Sequence, residues 1–366
     1  MISHLKVDEA DKVQAFLLPF ILIGAQVGFG VTSFQRIIFD SSKRDAWISV
    51  LFSAIAIHFI VFIILKLLSS YKNQDVYGIN HLLFGKMVGS FFNILFIGYF
   101  LFSFFISLIN YILIVKVWVF PNVPVWLFAL LLLLLVVYGI MGGIRIVIGM
   151  TFLSILVVGI IFIGLYQPFK YMDFRNFFPM FKAAPFEWFQ GTFRMMVTVS
   201  GFELLLILYP YLSNKKVVGR YSQIGVFFTS LFFLIMMMMS IGYFSSGQLE
   251  RTIWPTLTMF KINQFPFLER FEIIIVSFWM IVMIPKLLLY YWSAAEGLKR
   301  NFKISLKKTL IIFMPVFFIL SIFVQTEDTV MLVTDSLRYM AFSFSVIFPV
   351  FLYLVTLVKR RFQQHE

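Results

Sequence analysis

Residues 15–39 read AFLLPFILIGAQVGFGVTSFQRIIF, an apolar run of membrane length with Gly24, Gln26, Gly28 and Gly30 near its middle. A polar amide and clustered glycines stand where a spanning helix should be most apolar. Hydrocarbon cannot satisfy freed backbone groups, so a break there survives only when buried in protein or lining a cavity. Transporters use such breaks to aim half-helix ends and loose carbonyls at a solute in mid-membrane. A second interruption, Ser200-Gly201-Phe202-Glu203, falls inside a later apolar run.

Composition places the chain in the same class. Hydrophobic residues make up 61% of it and charged residues 13%, against about 25% charged in soluble domains. Mean hydropathy is +0.95. Forty-nine Phe and seven Trp suit lipid-facing and interfacial surfaces. The absence of Cys excludes disulfides and thiolate metal sites. The polar opening, MISHLKVDEADKVQ, predicts no cleavable signal, so insertion rests on the first span.

Runs of about 20 apolar residues predict an all-α polytopic membrane protein forming one permease-like domain over 1–366. Ten spans are expected, near 13–37, 46–68, 91–119, 125–141, 144–166, 189–212, 221–244, 271–295, 309–324 and 338–358. Gly142-Gly143 makes the fourth and fifth a tight hairpin. Basic clusters at Lys215, Lys216 and Arg220, at Lys299 to Lys308, and at Lys359 to Arg361 alternate with an acidic stretch over 325–337, expected as a loop. The positive-inside rule then puts both termini in the cytoplasm. The net charge of +13 is therefore a topology signal and a contact for anionic membrane lipid, not a nucleic-acid surface. The stretch 69–90 predicts a short cytoplasmic amphipathic helix. Residues 167–186 predict an external lid or docking surface, and 245–270 one external helix around 256–262. The interrupted spans, first and sixth, each open a group of five. An inverted five-plus-five repeat is expected, over about 13–166 and 189–358.

Ten spans with breaks in the first and sixth, the stretch SGFELLLILYPYL at 200–212, and TIWPTLTMFKIN leading through FPFLERFEIIIVSFW resemble the endospore germination permease family. These are the B subunits of nutrient germinant receptors, related to amino-acid/polyamine/organocation transporters. The resemblance covers essentially the whole chain. It implies a leucine-transporter-like fold, an A subunit and a lipoprotein C subunit as partners, and residence in the spore inner membrane. It also implies sensing of an amino acid, a sugar or a nucleoside, with an amino acid favoured. A proton-coupled amino-acid permease of the same fold is the alternative.

The candidate ligand-binding set is Gly24, Gln26, Gly28, Gly30, Tyr99, Ser103, Ser200, Gly201, Phe202 and Glu203. Three glycines weaken a helix by about 1 kcal/mol each relative to Ala, and an unwound stretch offers N–H groups to a solute carboxylate. The same glycines also serve close helix packing. Glu203, near mid-membrane, must face the protein interior. It either pairs with a substrate ammonium, carries a coupled proton, or forms a structural pair with Lys286 or Arg194. Tyr99 and Ser103 are four residues apart and share a helical face. Lys286 snorkels to lipid headgroups or, by analogy with the related fold, stands in for a coupling sodium ion. No P-loop, GxSxG or metal-ligand spacing is present, so no enzyme, cofactor or metal is expected.

Overall fold

The computed structural model describes residues 7–71, 73–263 and 270–363. These residues form helices and no strand. Where the sequence predicts the first span, the chain makes α1 (Leu18–Gln26), a 3₁₀ turn at Phe29–Thr32, and α2 (Phe34–Ser42). Then follow α3 (Ala46–Ser70), α4 (Val76–Trp118), α5 (Val125–Met141) and α6 (Gly143–Ile163). Next come α7 (Pro185–Thr198) and a short helical arm over Phe202–Tyr211, bent from it by 51°. The remainder is α8 (Lys215–Tyr243), α9 (Phe271–Phe302), α10 (Leu306–Phe323), α11 (Glu327–Phe342) and α12 (Phe348–Gln363).

Seven of the described helical segments are long and apolar enough to cross a membrane, and the bent pair would make an eighth. Helices over Ala15–Gln26 and Val125–Met141 are apolar but shorter. The chain is thus an all-helical integral membrane protein.

Several boundaries differ from the sequence reading for local reasons. Val76–Trp118 begins well before residue 91, with Asp75 accepting from Gly78 N (2.9 Å) as its N-cap. The expected short helix is its first turns, 76–84, and the chain redirects at Gly85, whose φ of +76° suits glycine alone. The acidic stretch over 325–337 is mostly helix. Thr326 caps α11 and Glu327 and Asp328 sit in its first turn, where a helix favours negative charge. The helix expected near 256–262 runs over Pro255–Phe260, and a second one, Ser246–Arg251, precedes it. The rest of that loop, 264–269, lies outside the described residues.

The centre is α9, which packs most extensively against α4 and α6. Every residue from Met283 to Leu298 on it is buried. A helix apolar over most of its surface belongs in such a position, with Lys286, Ser293 and Glu296 as buried polar exceptions. By contrast Phe52, Ile55, Phe59 and Phe62 on α3 form an exposed apolar stripe at three- and four-residue spacing, as a lipid-facing helix requires. α1 lies against α8, α6 and α9, so the first break sits beside the buried core.

Candidate solute cavity at the two breaks

α1 ends at Gln26 because Val27 (φ −81°, ψ 98°) leaves the helical region, and Gly28 (φ −137°, ψ −149°) continues extended before the 3₁₀ turn. α7 ends similarly at Val199, and Gly201 has φ +139°. The two interruptions touch. Gln26 Nε2 donates to Val199 O at 3.1 Å across 173 residues. A Cβ on Gly201 would come within 2.8 Å of the Ala25 carbonyl. Glycine is thus required at 201 twice over, by its φ and by this approach.

Below the second break Glu203 is fully buried. Its Oε1 accepts from Tyr99 Oη (2.7 Å) and Tyr290 Oη (3.0 Å), and its Oε2 accepts from Gly201 N (2.7 Å). A carboxylate with three donors is well compensated. It joins α4, α9 and the start of the 202–211 arm at one point. Arg194 is engaged elsewhere, with Asp40 Oδ2 and Ile37 O, both at 3.0 Å. No ion pair joins Glu203 to Arg194 or Lys286 among the described residues.

Lys286 is 5% exposed, which is incompatible with a side chain reaching for headgroups. Its ammonium lies 5.7 Å from the ring centres of both Phe29 and Tyr290, within cation–π range. Its stem crosses Gly28, where an added Cβ would stand 2.6 Å from Lys286 Cδ. Glycine at 28 is what admits the lysine.

A cavity of about 520 Å³ reaches down to this point, within the range of small-molecule sites. Gly30, Ser103, Ser200 and Lys286 line it, with Phe29 and Tyr290 beside them. The other expected site residues lie off its wall. Gly24 packs against Thr151 and Pro285, with a Cβ position 3.2 Å from Thr151 Cβ. Gln26 and Gly201 hold the breaks together, Gly28 holds Lys286, Phe202 is fully buried, and Tyr99 and Glu203 bond one another.

Sequence reading missed Tyr290, Arg36, Asp40 and Asp335 on the same wall. Tyr290 was accessible to it, being four residues after Lys286 on one face of a helix. Asn110 also lines the cavity and donates to Thr334 Oγ1 at 2.8 Å. Among the described residues no three His, Asp or Glu groups are placed to hold a metal ion.

An all-helical membrane protein with a polar-floored cavity between two touching chain breaks belongs to the class of transporter-fold proteins. The family profile described as "Spore germination protein" matches residues 12–330, and the chain belongs to that spore germination permease family. It is 32% identical over 348 residues to spore germination protein GerQB of Bacillus cereus, covering 95% of this chain and 96% of that one. It is 25% identical over 357 residues to spore germination protein A2 of Bacillus subtilis (strain 168), covering 96% and 97%. Among solved structures it is similar to MhsT in complex with L-phenylalanine (TM-score 0.63, 13% identity, 93% of this chain and 87% of that one). It is also similar to a Na⁺-coupled sialic acid symporter in a substrate-bound outward-open state (TM-score 0.62, 12% identity, 92% and 77%). The fold is leucine-transporter-like, and the family is permease-like rather than enzymatic.

Proposed function

We propose that this protein is the nutrient-sensing membrane subunit of a spore germinant receptor, binding a small solute in the cavity between the breaks. The observation that carries the reading is the cavity itself, which ends on a buried lysine where the two interrupted segments meet. Germination proteins similar over nearly the full chain supply the biological setting. In this reading α1 with α2, and α7 with the 202–211 arm, are interrupted spans. With the shorter α5 also counted as a span they bring the count to ten, in two inverted groups of five. Both termini are cytoplasmic, the membrane is the spore inner membrane, and the partners are an A subunit and a lipoprotein C subunit. Binding shifts the balance between conformations of the bundle, and those subunits read the shift.

Uptake into proteoliposomes tests it. Binding with no accumulation is the expected result. Concentrative uptake without partner subunits would instead establish the alternative, a proton-coupled amino-acid permease.

Lys286 supplies a fixed positive charge beside the first break, where sodium-coupled proteins of related fold place an ion. Solute affinity is therefore expected to stay within about twofold when sodium is exchanged for choline at constant ionic strength, since the site carries its own cation. Calorimetry on the purified protein in both salts is the measurement, and a tenfold loss in choline would reject this role.

A further inference from the structure

Charges on the cavity wall are unevenly paired. Asp40 meets Arg194 at 3.0 Å, Asp335 meets Arg338 at 2.5 Å, and Glu250 meets Lys43 at 3.0 Å. Every acid on the wall therefore has a cation. Two wall cations, Arg36 on α2 and Lys286 at the floor, have no ion-pair partner among the described residues. The Glu203 carboxylate does not reach the wall, and two phenols and a backbone N–H already occupy it. On the same wall, Ser103 is 3% exposed and its hydroxyl has no hydrogen-bond partner.

A buried ammonium with no anion in contact is costly even with the Glu203 carboxylate as a nearby charge, and so is a buried hydroxyl without a partner. Both costs are relieved by one kind of group, an oxygen anion that accepts from the ammonium and the hydroxyl together. Given that the cavity is a solute site, we infer that it takes its solute by a carboxylate, received by Lys286 Nζ and Ser103 Oγ. It offers no unshared acid to a solute ammonium. A phosphate dianion fits less well, because its second charge would face one ammonium and one hydroxyl at a desolvated floor. Arg36, farther along the wall, adds a positive field that draws anions inward. Discrimination between an acid and its amide then comes from Lys286 and Ser103.

The test is a binding panel on the purified full-length chain in lipid nanodiscs. The probes are the twenty L-amino acids, their 2-hydroxy-acid counterparts, their amides, inorganic phosphate, glucose and adenosine. Expected are thermal shifts with at least one amino acid and with its hydroxy-acid counterpart, and none with the matching amide. Lys286→Met should weaken the acid at least tenfold, Lys286→Arg should restore part of the loss, and Ser103→Ala should weaken it several-fold. Should Lys286→Met fail to accumulate, Ser103→Ala and the acid-against-amide comparison on the unmodified protein still decide the matter. Equal binding of acid and amide, a preference for phosphate, or glucose or adenosine binding alone would overturn the carboxylate inference and leave the cavity a solute site. No binding by any probe would overturn both.

Discussion

Gly28→Val is expected to abolish the solute response, lowering affinity by at least tenfold while the protein still inserts. The φ at Gly28 is −137°, outside the left-handed region that is reserved for glycine. The conflict is steric. The new Cβ would lie 2.6 Å from Lys286 Cδ and 3.1 Å from its Nζ, before either Val methyl is counted. Lys286 is buried and bounded by Phe29 and Tyr290, so it has little room to withdraw. Overpacking of this kind costs about 1–3 kcal/mol, and its effect here falls on the position of the ammonium. Gly28→Ala should give an intermediate loss. Gly30→Val should be milder, because its Cβ would press only on the Thr198 methyl, at 3.0 Å. Thermal-shift titration together with membrane abundance by immunoblot reads the series. Wild-type affinity in Gly28→Val at wild-type abundance would remove this region from the site.

Glu203→Gln is expected to destabilise the protein and weaken binding together. The amide oxygen can still accept from Tyr99 and Tyr290. Its NH₂ then faces Gly201 N–H, so one buried donor loses its acceptor and meets another donor. Leaving such a group unsatisfied costs about 1–3 kcal/mol, here at the residue that begins the 202–211 arm. A lower melting temperature in nanodiscs, with a loss of affinity similar at every pH, is the expected pattern. Tyr99→Phe should reproduce part of it, since Phe keeps the packing and removes one donor. If Glu203→Gln instead preserved stability and affinity and removed only a pH dependence, Glu203 would be a proton carrier rather than a tie. Full wild-type behaviour would leave it no role at the breaks.

What the sequence made legible was whatever violates the rules of a lipid-spanning helix. Glycines and an amide at 24–30, an acid at 203 and a lysine at 286 each carry a cost in hydrocarbon; all prove to be buried at or beside the breaks except Gly30, which is part-exposed on the cavity wall. Their partners were not legible, because pairing depends on how helices cross. The sequence offers Glu203 a substrate ammonium, a coupled proton or a structural cation, whereas the crossing of α4 and α9 presents it with two phenols. It places Tyr99 and Ser103 on one face and expects one role for both. In the structure Tyr99 turns to Glu203 while Ser103 stays on the cavity wall. Asp335 was hidden for another reason. Polarity over 325–337 predicts a loop, but Thr326 caps a helix there, and the helix carries Asp335 and Arg338 to the cavity wall.

One small contact bears on how the bundle can deform. Val13 N donates to Tyr211 O and Ser213 N donates to Val13 O, both at 2.8 Å. The stretch leading into α1 is thereby tied to the far end of the 202–211 arm. At the other end Gln26 is tied to Val199, across the second break from the arm, and Gly201 lies against Ala25. Residues 13–26 are thus held to the second interrupted segment at both ends, once beyond its arm and once at its break. A displacement at the breaks is thereby handed on to residues 211–213.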